Sequence, residues 1–138
     1  MIPVPTAGPR LARRLLLVLP LAALAWGLPA RAASTVPYTA AAFDRAVADG
    51  GPVVLHVSAP WCPTCQAQKP IVAALLKEPR MQAVRLFVAD FDSERALKEK
   101  LHVAQQSTFV VFRHGREVAR STAELDPKAI AAIFSKAL

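Results

Sequence analysis

Two cysteines, Cys62 and Cys65, stand two residues apart in the stretch Ala59-Pro60-Trp61-Cys62-Pro63-Thr64-Cys65, and the chain has no others. A dithiol at this spacing, at the front of a helix, is suited to thiol–disulfide exchange. A cysteine at a helix start meets unpaired backbone N–H groups and the positive end of the helix dipole, both of which stabilise its thiolate. Cys62 occupies that place, and Cys65, one turn on and on nearly the same face, can reach its sulfur. The Cys62 thiolate attacks a partner's disulfide to form a mixed disulfide, and Cys65 then attacks Cys62 and releases the reduced partner. The oxidising direction reverses these steps. Pro63 and Thr64 tune the couple through local geometry and access to backbone donors. Two blander readings compete. A passive disulfide closing a loop of two residues removes little unfolded-state entropy. A metal half-site lacks a second cysteine pair, and His56, His102 and His114 are not at zinc-finger spacing, so no metal and no cofactor are expected.

The elements that must hold this pair can be read on either side of it. Val53–Ser58 is a nearly continuous apolar run, as expected of a central strand covered on both faces. A helix opens at Cys62 and runs toward Leu76, with Pro63 in its tolerant first turn, Pro70 inside it as an expected kink, and Ala67, Ile71, Ala74 and Leu75 as its packing face. Upstream, Thr35–Tyr38 reads as an edge strand and Thr39 as the cap of a helix carrying Ala42, Phe43, Ala46 and Val47 at helical spacing, ending near Asp49-Gly50-Gly51. Downstream, Ala83–Asp90 is a second buried strand, followed by a charged helix over Ser93–Leu101 with Ala96, Leu97 and Leu101 turned inward. Thr108–Phe112 and Glu117–Arg120 form a hairpin around Arg113-His114-Gly115-Arg116. A last helix starts at Asp126-Pro127, with Ile130, Ile133, Phe134 and Leu138 as its apolar stripe. Two strands joined through a helix should be parallel. The hairpin then completes a mixed α/β sheet with helices on both faces.

The N-terminal segment carries an address. Arg10, Arg13 and Arg14 precede the apolar run 15–28, and Pro29-Ala30-Arg31-Ala32 supplies an A-x-A-like ending. This is the layout of a signal peptide over residues 1–32, leaving 33–138 as one domain. The run of 14 residues is short for a membrane span, which needs roughly 17 to 25. The expected location is therefore periplasmic or secreted, the alternative being an inner-membrane anchor by an uncleaved segment. Ala12 lacks the hydroxyl usual before a twin-arginine pair, so Arg13-Arg14 reads as an ordinary basic region. The leader takes 4 of the 17 basic residues and none of the 10 acidic ones, so the remainder carries about +3 instead of +7. Its charges are interleaved, which argues against a nucleic-acid partner. The expected partners are exported proteins with cysteines or disulfides and a membrane redox partner, and the expected state is a monomer.

Trp61-Cys62-Pro63-Thr64-Cys65 after a hydrophobic strand resembles the active-site motif of the thioredoxin-like family, and residues from about Thr39 to Leu138 match that family in order and spacing. The resemblance implies a three-layer α/β/α sandwich and a protein-disulfide oxidoreductase active in cell redox homeostasis. It implies Cys62 as nucleophile, Cys65 as resolver and Trp61 as a flat flank for a docked peptide. Exported members handle disulfides in periplasmic or extracellular proteins, or maintain cysteines for cytochrome maturation. Three departures stand out. Ser107 stands where the family places a cis-proline before Thr108, which makes a trans Gln106–Ser107 bond the expectation and Ser107 a candidate hydrogen-bond donor to a sulfur or bound peptide. His56 replaces a buried aspartate that assists proton transfer, and is a candidate for a related role or else a satisfied core histidine. The glycine expected after the hairpin is replaced near Ser121-Thr122-Ala123. The lost proline also leaves open a competing function, a non-catalytic peptide-binding or metal-handling module.

Overall fold

The computed structural model describes Pro3 and residues 33–138, so the expected leader lies, Pro3 apart, outside the described residues. The chain runs β1 (Ser34–Pro37), α1 (Ala40–Ala48), β2 (Val53–Ser58), α2 (Pro63–Leu75), a 3-10 turn (Pro79–Met81), β3 (Arg85–Asp90), α3 (Arg95–Leu101), β4 (Thr108–Arg113), β5 (Arg116–Thr122) and α4 (Pro127–Ser135). Local chemistry sets several of these ends. Thr39 Oγ1 accepts the Ala42 N–H at 3.3 Å and caps α1. The Asp126 carboxylate accepts from the Lys128 and Ala129 N–H groups, and Pro127 opens α4. His114 and Gly115 both adopt positive φ, 50° and 75°, which matches the two-residue turn to the twist of the β4–β5 hairpin.

The five strands lie in the order β1-β3-β2-β4-β5. β3 is parallel to both β1 and β2, whereas β4 runs antiparallel to β2 and β5. β2, buried at every position, is the middle strand, and its alternate side chains enter two different cores. Val53, Leu55 and Val57 pack with Phe43 and Ala46 of α1 and Leu97 of α3. Val54 joins Val72 and Leu75 of α2 and Ile130 and Phe134 of α4 on the opposite face. The result is the expected three-layer α/β/α sandwich with a mixed sheet. Because side chains alternate along a strand, His56 and Ser58 share the face of Val54, toward α2 and α4.

Three packing expectations are corrected. The buried stripe of α2 is Cys65, Gln68, Val72 and Leu75; Ile71 is half-buried, and Ala67 and Ala74 are exposed. The site-bearing face therefore includes a polar residue that hydropathy assigns to the surface. In α3, which begins at Arg95, Leu97 is buried and Leu101 half-buried, but Ala96 lies about 100° around the helix and is exposed. Leu138 falls beyond the end of α4 and is exposed, while Ala137 takes the buried place. Strand and helix starts shift by one or two residues, as at β1 (Ser34), β3 (Arg85) and α3 (Arg95).

Phe43 anchors α1 to the sheet, with its ring edge-on to Phe87 at 5.6 Å and to Phe112 at 5.4 Å. Phe43→Ala is expected to lower the unfolding free energy by about 3–5 kcal/mol, read as a shift of the urea midpoint. A loss below about 1 kcal/mol would contradict this placement of α1.

Candidate active site

β2 ends at Ser58, and the following loop delivers Cys62 to the first turn of α2. Cys62 is itself the N-cap: its backbone is extended (φ −83°, ψ 117°), and its sulfur accepts the Cys65 N–H at 3.3 Å. Pro63 at the first helical position gives up a donor that would have lacked a partner in any case. Cys65 Sγ, fully buried, accepts the Ala59 N–H at 3.5 Å. Both cysteines are free thiols. Gln66 Nε2 donates to Pro60 O at 2.7 Å and braces the loop. Trp61 is 59% exposed beside the dithiol, with its indole N–H donated to Asp92 Oδ2 at 2.7 Å. Its plane is thereby tied to the turn after β3. Pro63 is exposed and Thr64 half-buried at the same rim.

Ser107 is buried and closes the site from the start of β4. Its Oγ lies 3.1 Å from Cys62 Sγ and 3.0 Å from Cys65 Sγ. The Gln106–Ser107 bond is trans, and Ser107 has φ 60°. This left-handed conformation costs a residue with a Cβ roughly 1–2 kcal/mol. Thr108, also buried, turns its hydroxyl into the fold: Oγ1 donates to Gln105 O at 2.8 Å and meets Thr122 Oγ1 at 2.9 Å. Ala123 has φ 59°, so an alanine occupies the left-handed position after the hairpin.

The electrostatics favour a reactive Cys62. Burial pushes its thiol up, but hydrogen bonds from the Cys65 side chain, the Ser107 hydroxyl, the Cys65 backbone N–H and the Gln106 side chain outweigh it. They bring the pKa from 9.0 down to about 7. The Ser107 hydroxyl has one proton, which it can donate to a Cys62 thiolate.

His56 is buried on β2, and its hydrogen bond goes to Gln68 Oε1 at 2.9 Å instead of to a sulfur. Its ring stacks at a tilt on Phe109, with centroids 4.5 Å apart. It also borders a cavity of about 290 Å³ shared with Lys69, Val72, Leu86 and Val88. Burial lowers the His56 pKa to about 4; the Gln68 bond opposes that shift and the Lys69 charge adds to it. Gln68 is the residue that sequence reasoning missed. Its Nε2 donates to Ser107 O at 3.2 Å and to Glu124 O at 3.0 Å, which connects His56 to the Ser107 backbone. Among the described residues no group of three or more His, Cys, Asp or Glu side chains is placed to hold a metal ion.

The thioredoxin family model matches residues 34–136. The chain belongs to the thioredoxin family. A thioredoxin of Chlamydia trachomatis is 30% identical over 86 residues, covering 62% of this chain and 82% of the relative. Trxlp from Edwardsiella tarda is 39% identical with a TM-score of 0.71, covering 73% of this chain and 98% of that one. A thioredoxin of Malassezia sympodialis shares the fold at 21% identity and a TM-score of 0.66, covering 75% of this chain and 94% of that one. With the Cys62/Cys65 pair at the start of α2, this family member is a thiol–disulfide oxidoreductase.

The buried His56 makes stability depend on pH. Its folded pKa, about 4, lies below its ordinary value of 6.5, so between those values the unfolded chain binds more protons. The stabilisation is present above pH 6.5 and is lost as pH falls toward 4. It amounts to about 3 kcal/mol over the window. Urea unfolding across that range should show this slope in the unaltered chain and lose most of it in His56→Gln. Equal slopes in the two proteins would contradict a buried neutral histidine.

Proposed function

We propose that this oxidoreductase is exported and exchanges disulfides with exported protein substrates, Cys62 being the attacking thiolate and Cys65 the resolving thiol. The observation that carries the assignment of roles is the Cys62 sulfur at the N-cap of α2, where the Cys65 N–H and the Ser107 hydroxyl converge on it and its pKa falls to about 7. At that value a large fraction is thiolate near neutral pH, yet the thiolate is still basic enough to be a good nucleophile. In the first step the Cys62 thiolate bonds to one sulfur of the substrate disulfide and expels the other as a thiolate. In the second, Cys65 gives up its proton and bonds to Cys62, expelling the remaining substrate thiolate and leaving the Cys62–Cys65 disulfide. A membrane redox partner of opposite task returns the pair to its starting state.

The peptide-binding face is formed by Trp61, Pro63 and Thr64 at the rim, with Ser107 and Thr108 shaping its floor from beneath. His56 serves the site through Gln68: held neutral, it donates to the amide, and its contribution is placement more than proton uptake. Export is supported by Arg10, Arg13 and Arg14 before the apolar run 15–28 and the Ala30-Arg31-Ala32 ending. One observation favours a second reading. Two thiols and a hydroxyl meeting within about 3 Å, where the family pattern has proline, also suit a metal-handling or peptide-holding module without turnover.

The two readings part in an exchange assay with a disulfide-bonded protein substrate. The unaltered chain should exchange, Cys62→Ser should fall to background, and Cys65→Ser should accumulate a mixed disulfide through Cys62 that resolves only with added thiol. No exchange in any redox buffer, together with stoichiometric zinc or copper(I) binding, would decide for the module.

A further inference from the structure

Behind Ser107 lies a fully buried amide. Gln68 is 0% exposed and sits on the face of α2 that carries Cys65. A buried amide is costly unless its hydrogen-bonding capacity is used, and here three of four places are filled. Both nitrogen hydrogens go to carbonyls, Ser107 O at 3.2 Å and Glu124 O at 3.0 Å. Carbonyls can only accept, so these two bonds fix which end of the amide is nitrogen. Oε1 is then left facing His56 Nε2 at 2.9 Å, which must carry the hydrogen. One side chain therefore joins α2, β2, the loop before β4 and the loop after β5.

The place where this amide acts is the strained one. Ser107 has φ 60°, and the orientation of its side chain follows from that backbone. Its carbonyl is held twice, by Gln68 Nε2 and by the Ala123 N–H at 3.0 Å. If the peptide relaxed toward an ordinary conformation, Oγ would leave the 3.1 and 3.0 Å contacts with the two sulfurs.

We propose that Gln68 is a positioning residue for disulfide exchange: oriented by His56, its amide fixes the Ser107 carbonyl and so keeps the Ser107 hydroxyl between the Cys62 and Cys65 sulfurs. The inference rests on the dithiol reading above and deepens it. A Gln68 that served only to tie helix to loop would affect folding and leave the sulfurs indifferent.

The test is a double-mutant cycle read on Cys62 ionisation in the reduced protein, followed by thiolate ultraviolet absorbance. Ser107→Ala should raise the Cys62 titration by about one pKa unit, a tenfold drop in thiolate fraction below the midpoint. Gln68→Met should raise it comparably, and the double variant should exceed Ser107→Ala alone by little, because both changes remove the same contact. A folded Gln68→Met with an unmoved titration, or a shift that adds in full to that of Ser107→Ala, would overturn the proposal. If Gln68→Met does not fold, the side-chain amide resonances of Gln68 in the unaltered protein decide. They should follow the Cys62 titration and exchange more slowly than those of the exposed Gln105. Resonances that ignore Cys62 ionisation would overturn it equally. Neither readout needs a substrate, so absent turnover would count against the proposed function alone.

Discussion

A single hydroxyl lies between two sulfurs, 3.1 Å from Cys62 and 3.0 Å from Cys65, and the rest of the site is arranged around that contact. A proline at position 107 would bring neither a side-chain donor nor a backbone N–H. The serine brings a donor aimed at the charge that forms when Cys62 ionises. A hydrogen bond to a charged group is roughly twice as strong as one between neutral partners, so this contact favours the thiolate over the thiol. The cost appears in the backbone, where a residue with a Cβ is held at φ 60°. Two donors on the Ser107 carbonyl offset it.

The layers of the fold serve that geometry. β2 carries His56 toward the α2/α4 side and ends in the loop that starts α2. α2 contributes a cap that is also the proposed nucleophile, so the bond that begins the helix strengthens as the sulfur becomes negative. The β4–β5 hairpin sets Ser107 and Ala123 opposite each other at its open end, both in left-handed conformations. Helix start, strand end and hairpin mouth meet at one point, and Gln68 of α2 ties His56 of β2 to Ser107 and Glu124 at the hairpin mouth.

The sequence made part of this legible, for physical reasons that differ by residue. The strand Val53–Ser58, the caps Thr39 and Asp126 and the Cys62/Cys65 pair are local signals, in which a residue's neighbours in the chain are also the ones it acts on. Ser107 was identifiable as a departure from the family pattern, but its two contacts with sulfur depend on a backbone angle that composition does not encode. Gln68 was invisible. A polar residue in mid-helix reads as surface, and its partners Ser107 and Glu124 lie 39 and 56 positions away. Ala67 and Ala74 read as part of the packing face beside Ile71 and Leu75 for the converse reason, since small apolar residues carry little information about which side of a helix is buried.

If the Ser107 hydroxyl stabilises the Cys62 thiolate, it stabilises the reduced form of the pair, and its removal must move the redox equilibrium. The direct measurement is equilibration of the unaltered chain and of Ser107→Ala with glutathione buffers, at a pH well above the Cys62 pKa of both proteins, which is about 7 in the unaltered chain. The alanine variant should favour the disulfide by about tenfold, a shift of roughly 30 mV to more negative potential for this two-electron couple. An unchanged potential, or a shift toward the dithiol, would contradict the central role assigned to that hydroxyl.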